Sequence, residues 1–407
     1  MHPQLSHYTN PPYQPKEEQM MKKTLAAAAL AAAFSGAAPA ADLELYGVVD
    51  TGFTYTHGND VDIDRFEMST GNYAGSRFGL RGGEDLGNGV RINFILENGF
   101  QSDTGNYAKA DSIFNRESQL FLTGSWGQLG FGRVGAFTSG SSSLSWYWDL
   151  EPFETGYIDA GIQASQVNVW RLNSNTIYYI SPVFAGFKLG IQYSLTGTND
   201  KEAQKQGDNN TFTNVALRWD GANARAILGF EMETYGDNET YYGAGGAADG
   251  TFTERRDNAY NVKLAGAWNV AGGPATLYAG ASWYKNYNIF SDSTYDDDGK
   301  VFYDRDSSKR LQGYSFFVGG KYTIGQADLL AMFQYLDGEN EGYLEGSGQD
   351  KDYKRYIASI GCHYHFSKRT MLYAIASYAD GTGAFDDLDD GAATNRWMGH
   401  LGLTHFF

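Results

Sequence analysis

The chain has 407 residues, a formal net charge of −17 and a single cysteine among 51 glycines, 29 tyrosines and 25 phenylalanines. The acidic balance argues against nucleic acid, which is held by basic patches, and a lone thiol, Cys362, forms no internal disulfide and no metal or redox motif. The chain has no long apolar helix, so it fits neither a helical membrane protein nor an average enzyme; its glycine and aromatic load fits an outer-membrane barrel, in which half of each strand is polar because it faces a lumen.

In chain order, residues 1–20 are polar and proline-rich, and they are expected to be a non-native extension ahead of a true start at Met20 or Met21. A genuine disordered extension is the alternative, which N-terminal sequencing distinguishes. Residues 21–40, MKKTLAAAALAAAFSGAAPA, read as a signal peptide: Lys22 and Lys23 are its basic region, Leu25 to Phe34 its short apolar core, and Ala38, Pro39 and Ala40 its small-residue cleavage site. Removing residues 1–41 takes away three basic and two acidic residues, leaving 28 against 46 and a formal charge of −18.

Residues 41–407 are predicted to form one transmembrane β-barrel domain. Period-2 alternation is clear in several places. Val90, Ile92, Phe94 and Leu96 oppose Arg91 and Asn93; Phe187, Leu189, Ile191, Tyr193 and Leu195 oppose Lys188, Gly190, Gln192 and Ser194. The same pattern recurs at 260–268, 314–322 and 356–366. A soluble sandwich also alternates, but here strands pair through short turns on one side and long polar loops on the other. The short turns are expected at 84–89, 124–127, 181–186, 219–223, 268–274, 324–326 and 366–370, several flanked by Trp, Tyr or Phe as an interfacial girdle would be. Seven hairpins, an opening strand at 43–56 and a closing strand ending at Phe407 make sixteen strands with both ends on the periplasmic side. Left unpaired, the last strand would be an aggregation-prone edge; paired with the first, it closes a barrel.

Of the long loops, 291–309 holds six Asp against Lys300, Arg305 and Lys309. Solvated surface charge is the plain reading; Ca²⁺ or Mg²⁺ bridging the loop to lipopolysaccharide is the alternative, since hard cations take oxygen ligands. No other cofactor is expected.

The segments LYGVVDTGF, SRFGLRGGEDLGNGVRINFILENGF (76–100), WGQLGFGRV (126–134), RLNSNTIYYISPVFAGFKLGIQYS (171–194) and LGLTHFF resemble the trimeric general porins of gram-negative outer membranes, betaproteobacterial type. The resemblance implies an all-β, sixteen-stranded antiparallel homotrimeric barrel. Each protomer would be a water-filled pore narrowed by a third loop folded into the lumen. It also implies that the terminal aromatic, Phe407, is an assembly signal read by the barrel-assembly machinery.

That loop is placed at 135–170, where Asp149, Glu151, Glu154 and Asp159 occur with no Lys or Arg. Strand parity turns Arg77, Arg81, Arg91, Lys188 and Lys263 away from the apolar faces. In the resembled family a wall of arginines faces the acidic loop. Motif position assigns that role to Arg77 and Arg171, with Arg116 and Arg133 as further candidates, and Glu117 stands where relatives often carry a second arginine, which lowers the expectation of strong anion selectivity. Opposed charges across a narrow gap create a transverse field that orients polar solutes; the plainer reading, compatible with it, is that the same arginines pair with nearby carboxylates and hold the loop. Trp146, Tyr147, Trp148, Tyr157 and Trp170 read as loop packing or as a stacking track for sugars, and His363 and His365, two apart on one face, are too few ligands for a metal site. The function expected is passive diffusion of ions and small hydrophilic solutes, not catalysis. A substrate-selective channel for sugars or organic ions and a structural or adhesive barrel are the alternatives.

Overall fold

The computed structural model describes residues 42–59, 62–110, 112–140, 142–195, 209–236, 240–242, 248–251, 257–287, 310–342, 350–385 and 395–407. The N-terminal extension, the signal segment and the acidic stretch 291–309 with its suggested divalent cation lie outside these residues.

The alternating segments fold into strands in register with their sequence neighbours. They are β1 (Asp42–Gly58), β2 in two segments (Asp64–Thr70 and Arg77–Gly87), β3 (Val90–Gly99), β4 (Glu117–Gly124), β5 (Gly127–Gly135), β6 (Leu172–Ile180), β7 (Phe187–Ser194) and β8 (Thr211–Asp220). Then follow β9 (Ala224–Thr234), β10 (Ala259–Asn269), β11 (Ala275–Tyr287), β12 (Leu311–Ile324), β13 (Ala327–Asn340), β14 (Asp352–His365), β15 (Thr370–Gly383) and β16 (Arg396–Phe406). Each is antiparallel to the next, and β16 pairs with β1 from Val48↔Phe406 to Gly58↔Arg396, so the sixteen-stranded sheet closes. The seam runs to the last residue: Gly47 N donates to the Phe407 carbonyl at 3.1 Å and Phe407 N to the Gly47 carbonyl at 3.0 Å. All seven expected short turns fall where the pattern places them; six carry Gly, Asn or Pro, and the turn at 366–370, which has none of these, is held by Ser367 Oγ accepting from Arg369 N and Thr370 N at 3.1 Å.

The two faces of the wall are opposite in character. On β14, Tyr356, Ile360 and Tyr364 are exposed outward while Arg355, Ser359 and His363 are buried inside; on β16, Trp397, Leu401 and Leu403 point out and His400 and Thr404 point in. An apolar exterior around a polar interior is the pattern of a barrel solvated by lipid.

The lumen is not empty. Residues 136–140 and 142–171 cross it and bury Phe137, Tyr147, Leu150, Phe153 and Tyr157 against wall residues Tyr178, Tyr278, Phe317 and Ile375. Each such side chain contributes about 1.5–3 kcal/mol when fully buried. Glycines on the wall make the space. A Cβ on Gly190 would lie 2.8 Å from Phe137 and Trp146, and one on Gly319 2.9 Å from Pro152. β2 is broken at residues 71–76, where the buried Asp50 carboxylate accepts from Tyr73 N (3.1 Å), Ala74 N (3.0 Å), Tyr373 Oη (2.9 Å) and Thr404 Oγ1 (2.9 Å). The break lets the Asn72 carbonyl accept from Tyr157 N, and it brings Tyr73 onto the loop.

Deleting Phe407 removes both seam hydrogen bonds to Gly47 and leaves the end of β1 unpaired. The expected result is less folded barrel in the membrane fraction, measured as the heat-modifiable band on a semi-native gel. Wild-type amounts of that band would contradict the role of the seam.

Candidate functional site

Between the luminal loop and the wall of β1–β4 lies a cavity of about 410 Å³, whose lining includes Arg77, Arg81, Arg116, Glu97, Glu117 and Glu154. The strands determine its charge pattern. β3 and β4 pair Glu97 directly opposite Glu117, and like charges so placed repel unless neutralised. Arg116 donates to Glu97 at 2.6 Å, Arg77 lies 3.4 Å from the same carboxylate, and Tyr46 Oη donates to it at 3.0 Å. Glu117 is buried and turned to the loop, accepting from Ser143 N at 2.6 Å, Ser143 Oγ at 2.7 Å and Gln119 at 2.6 Å. Glu154 accepts from Tyr73 Oη. Arg81, exposed, is held in a two-pronged pair by Glu44 at 2.8 Å over the Tyr46 ring.

The other expected residues lie elsewhere. Arg171 does not line this cavity: its guanidinium forms a two-pronged pair with Glu233 at 3.0 Å and stacks 4.6 Å above Phe212. Arg133 donates to the Asn115 carbonyl and to Ser174, both at 2.8 Å, and Arg91 donates to Asn93 at 3.1 Å beside a short turn. The loop carboxylates, which have no Lys or Arg among residues 135–170, meet arginines of the wall at two positions. Asp149 is gripped by Arg218 (2.8 and 2.9 Å) and lies 2.9 Å from Arg225. Asp159 is gripped by Arg396 (2.7 and 3.1 Å), with Arg355 3.7 Å away. Burial alone would raise the Asp159 carboxyl, but Arg396 and Arg355 hold it below the ordinary carboxylate range.

Glu151 faces neither cation nor cavity. It is fully buried and caps the loop by accepting from Phe153 N at 2.7 Å and from Thr155 N, and burial pushes its pKa up to about 8 despite those bonds. The loop is secured further by a buried pair, Lys263 and Glu231 at 3.3 Å, which hold the Thr138 carbonyl and hydroxyl, and by Gln334, which donates to the Asp159 carbonyl at 3.0 Å. His363 makes a 2.8 Å hydrogen bond with Tyr157 Oη, and His365 lies 3.3 Å from Asp328.

The sequence reading missed Glu97, Arg218, Arg225, Glu231, Arg355 and Arg396. The parity that turned Arg77 inward applies equally to Arg218 and Arg355, which alternate with exposed Leu217 and Tyr356, so a signal for those two was present. Which inward cation meets which loop carboxylate has no local signature. The aromatic group divides: Trp146, Tyr147 and Tyr157 are buried in packing, whereas Trp148 and Trp170, 44% and 36% exposed, line the cavity.

A family model described as Gram-negative porin matches residues 26–384. An outer membrane porin protein of Bordetella pertussis is 32% identical over 395 residues, covering 88% of this chain and 94% of the relative. Among solved structures, an anion-selective porin from Comamonas acidovorans superposes with a TM-score of 0.64 at 21% identity, covering 90% of this chain and all of that one. The trimer form of OmpT, an outer membrane protein of Vibrio cholerae, superposes with a TM-score of 0.56 at 12% identity, covering 90% of this chain and 99% of its own.

Two substitutions test the tethering. Asp159→Asn leaves the arginines around it without their counter-charge, which costs roughly 3–5 kcal/mol for a buried pair; the urea midpoint of the folded barrel is expected to fall. For Glu151 the folded pKa lies above the unfolded value, so the native state holds the extra proton between about pH 4.5 and 8 and stability declines as pH rises through that window. Glu151→Gln should flatten the decline between pH 5 and 8. An unchanged slope would show that Glu151 does not titrate there.

Proposed function

Since this chain belongs to the Gram-negative porin family, we propose that it is a passive diffusion channel of the bacterial outer membrane for ions and small hydrophilic solutes, and not an enzyme. The reading rests on one observation: the loop at 136–171 is anchored on both sides of the lumen and leaves beside it a polar cavity carrying fixed charge of both signs. Buried in protein and walled off from bulk water, such charges create a stronger field than they would at a surface. Polar solutes align in that field. Apolar solutes must displace the water it orders.

The constriction in this reading is the Arg77, Arg116 and Glu97 group facing Glu154. Arg77, Arg81 and Arg116 are matched in number by Glu97, Glu117 and Glu154, so the narrowing carries little net charge. The strong anion preference for which the Comamonas relative is named is therefore not expected of this chain. The short-turn end faces the periplasm and the long loops face outward. The assembly is a homotrimer, a reading supported by the trimer form of the Vibrio relative; lipopolysaccharide around the loops and the barrel-assembly machinery are its proposed partners in the cell.

Reversal potentials across planar bilayers in dilute KCl test this. Replacing Arg77 and Arg116 together by Ser should raise the cation-to-anion permeability ratio and the conductance, whereas Glu154→Gln should lower the ratio. The paired change Arg171→Met with Glu233→Gln should leave the ratio near that of the wild type. All effects should shrink in 1 M salt, where the Debye length is about 3 Å. An arginine double variant with unchanged selectivity would remove those side chains from the pore. Unboiled protein should also run as an SDS-resistant oligomer that boiling converts to monomer, and monomer mobility before boiling would count against the trimer.

A further inference from the structure

Trp148 and Trp170 are unusual among the luminal aromatics. Phe137, Tyr147, Phe153 and Tyr157 are fully buried beneath the loop, and Trp146 nearly so, because each fills space between loop and wall. Trp148 and Trp170 flank the same loop near its middle and at its end, yet keep 44% and 36% of their surface exposed. Both line the cavity that holds Arg77, Glu97 and Arg116. A loop under selection for packing alone would bury these large apolar faces, since each hidden indole stabilises the fold. They are instead presented to luminal water.

The polar groups around them narrow the choice of ligand. Charge is balanced within the cavity, so neither a free anion nor a free cation gains net Coulomb attraction there. Arg77 and Arg116 are already paired with Glu97 and Arg81 with Glu44, while Glu117 and Glu154 accept from Ser143 and Tyr73, and a charged solute would have to disrupt those contacts. A neutral solute with neighbouring hydroxyls need not. Each hydroxyl both donates and accepts, and can bridge a guanidinium and a carboxylate together. Ser142, Thr155 and Ser143 add hydroxyls on the loop side. A volume of about 410 Å³ falls in the range of small-molecule sites, roughly 300–1,000 Å³.

We propose that the constriction is a saccharide site, in which the flat C–H face of a pyranose ring stacks on Trp148 or Trp170 while its hydroxyls bridge the Arg77, Arg116 and Glu97 group. The C–H edge carries the slight positive charge that the negative face of an indole attracts. This rests on the channel reading above and adds its solute class: neutral cyclic sugars held briefly in transit, in preference to acyclic polyols and organic cations.

The test records single-channel current in KCl with maltotriose as the probe, and sorbitol and choline chloride as controls at equal concentration. Wild-type current is expected to be interrupted by maltotriose and much less by either control. Trp148→Ala and Trp170→Ala should each weaken maltotriose binding about threefold to tenfold, the range expected for loss of one aromatic face. KCl conductance should rise in the same variants as bulk leaves the narrowing. Trp148→Phe, which retains a ring and most of the packing volume, should keep part of the block. Because the comparison of sugar with sorbitol uses the wild-type protein, it decides the question even if a variant misfolds. A channel that conducts KCl yet is not blocked by maltotriose, or is blocked as well by sorbitol or choline, overturns the saccharide site and leaves the channel standing. Alanine variants that bind maltotriose as tightly as wild type overturn the role of the indoles. A folded oligomer that does not conduct at all overturns the channel and the site together.

Discussion

Everything in this molecule depends on the seam between β1 and β16. A backbone amide in the hydrocarbon of a bilayer has no water to turn to, and each unmade hydrogen bond there costs several kcal/mol. The sheet must therefore have no edge. Pairing from Val48↔Phe406 to Gly58↔Arg396, with Gly47 and Phe407 exchanging the final two bonds, removes the last one. Closure also separates two solvents. Once the wall is a cylinder, period 2 along a strand becomes lipid on one side and lumen on the other, which is why Ile360 and Arg355 can belong to one strand.

The lumen then poses an electrostatic problem, and the crossing loop has no cation before its last residue, Arg171, with which to solve it. Its carboxylates are settled in three ways. Asp149 and Asp159 enter the reach of arginines projected from opposite parts of the wall, Arg218 with Arg225 and Arg396 with Arg355. Glu151 turns inward and takes backbone N–H groups of its own turn. Glu154 alone stays on the cavity, where Tyr73 donates to it from the break in β2. The loop's missing basic residues are thus supplied by the wall, and each ion pair doubles as a tether. The Lys263 and Glu231 pair, wholly buried, adds another at the loop's start. The opening that remains is defined as much by what the loop has used up as by what it leaves.

What the chain determined by itself was the part governed by short-range rules. Alternation read every hairpin, because strand parity is a local property and the alternation breaks at each short turn. The signal-like leader and the closing aromatic strand pointed to a barrel, and parity turned Arg77 inward without reference to any other strand. The register of β3 against β4, which sets Glu97 opposite Glu117, the space above Gly190 and Gly319 into which the loop settles, and the pairing of Arg171 with Glu233 were decided only by the tertiary structure. The reason is physical. A residue's face is determined by its neighbours one and two positions away, whereas its ionic partner is determined by which distant side chain comes within about 4 Å once the barrel has closed and the loop has packed, and pairs 62 or 237 positions apart carry no local trace of that meeting.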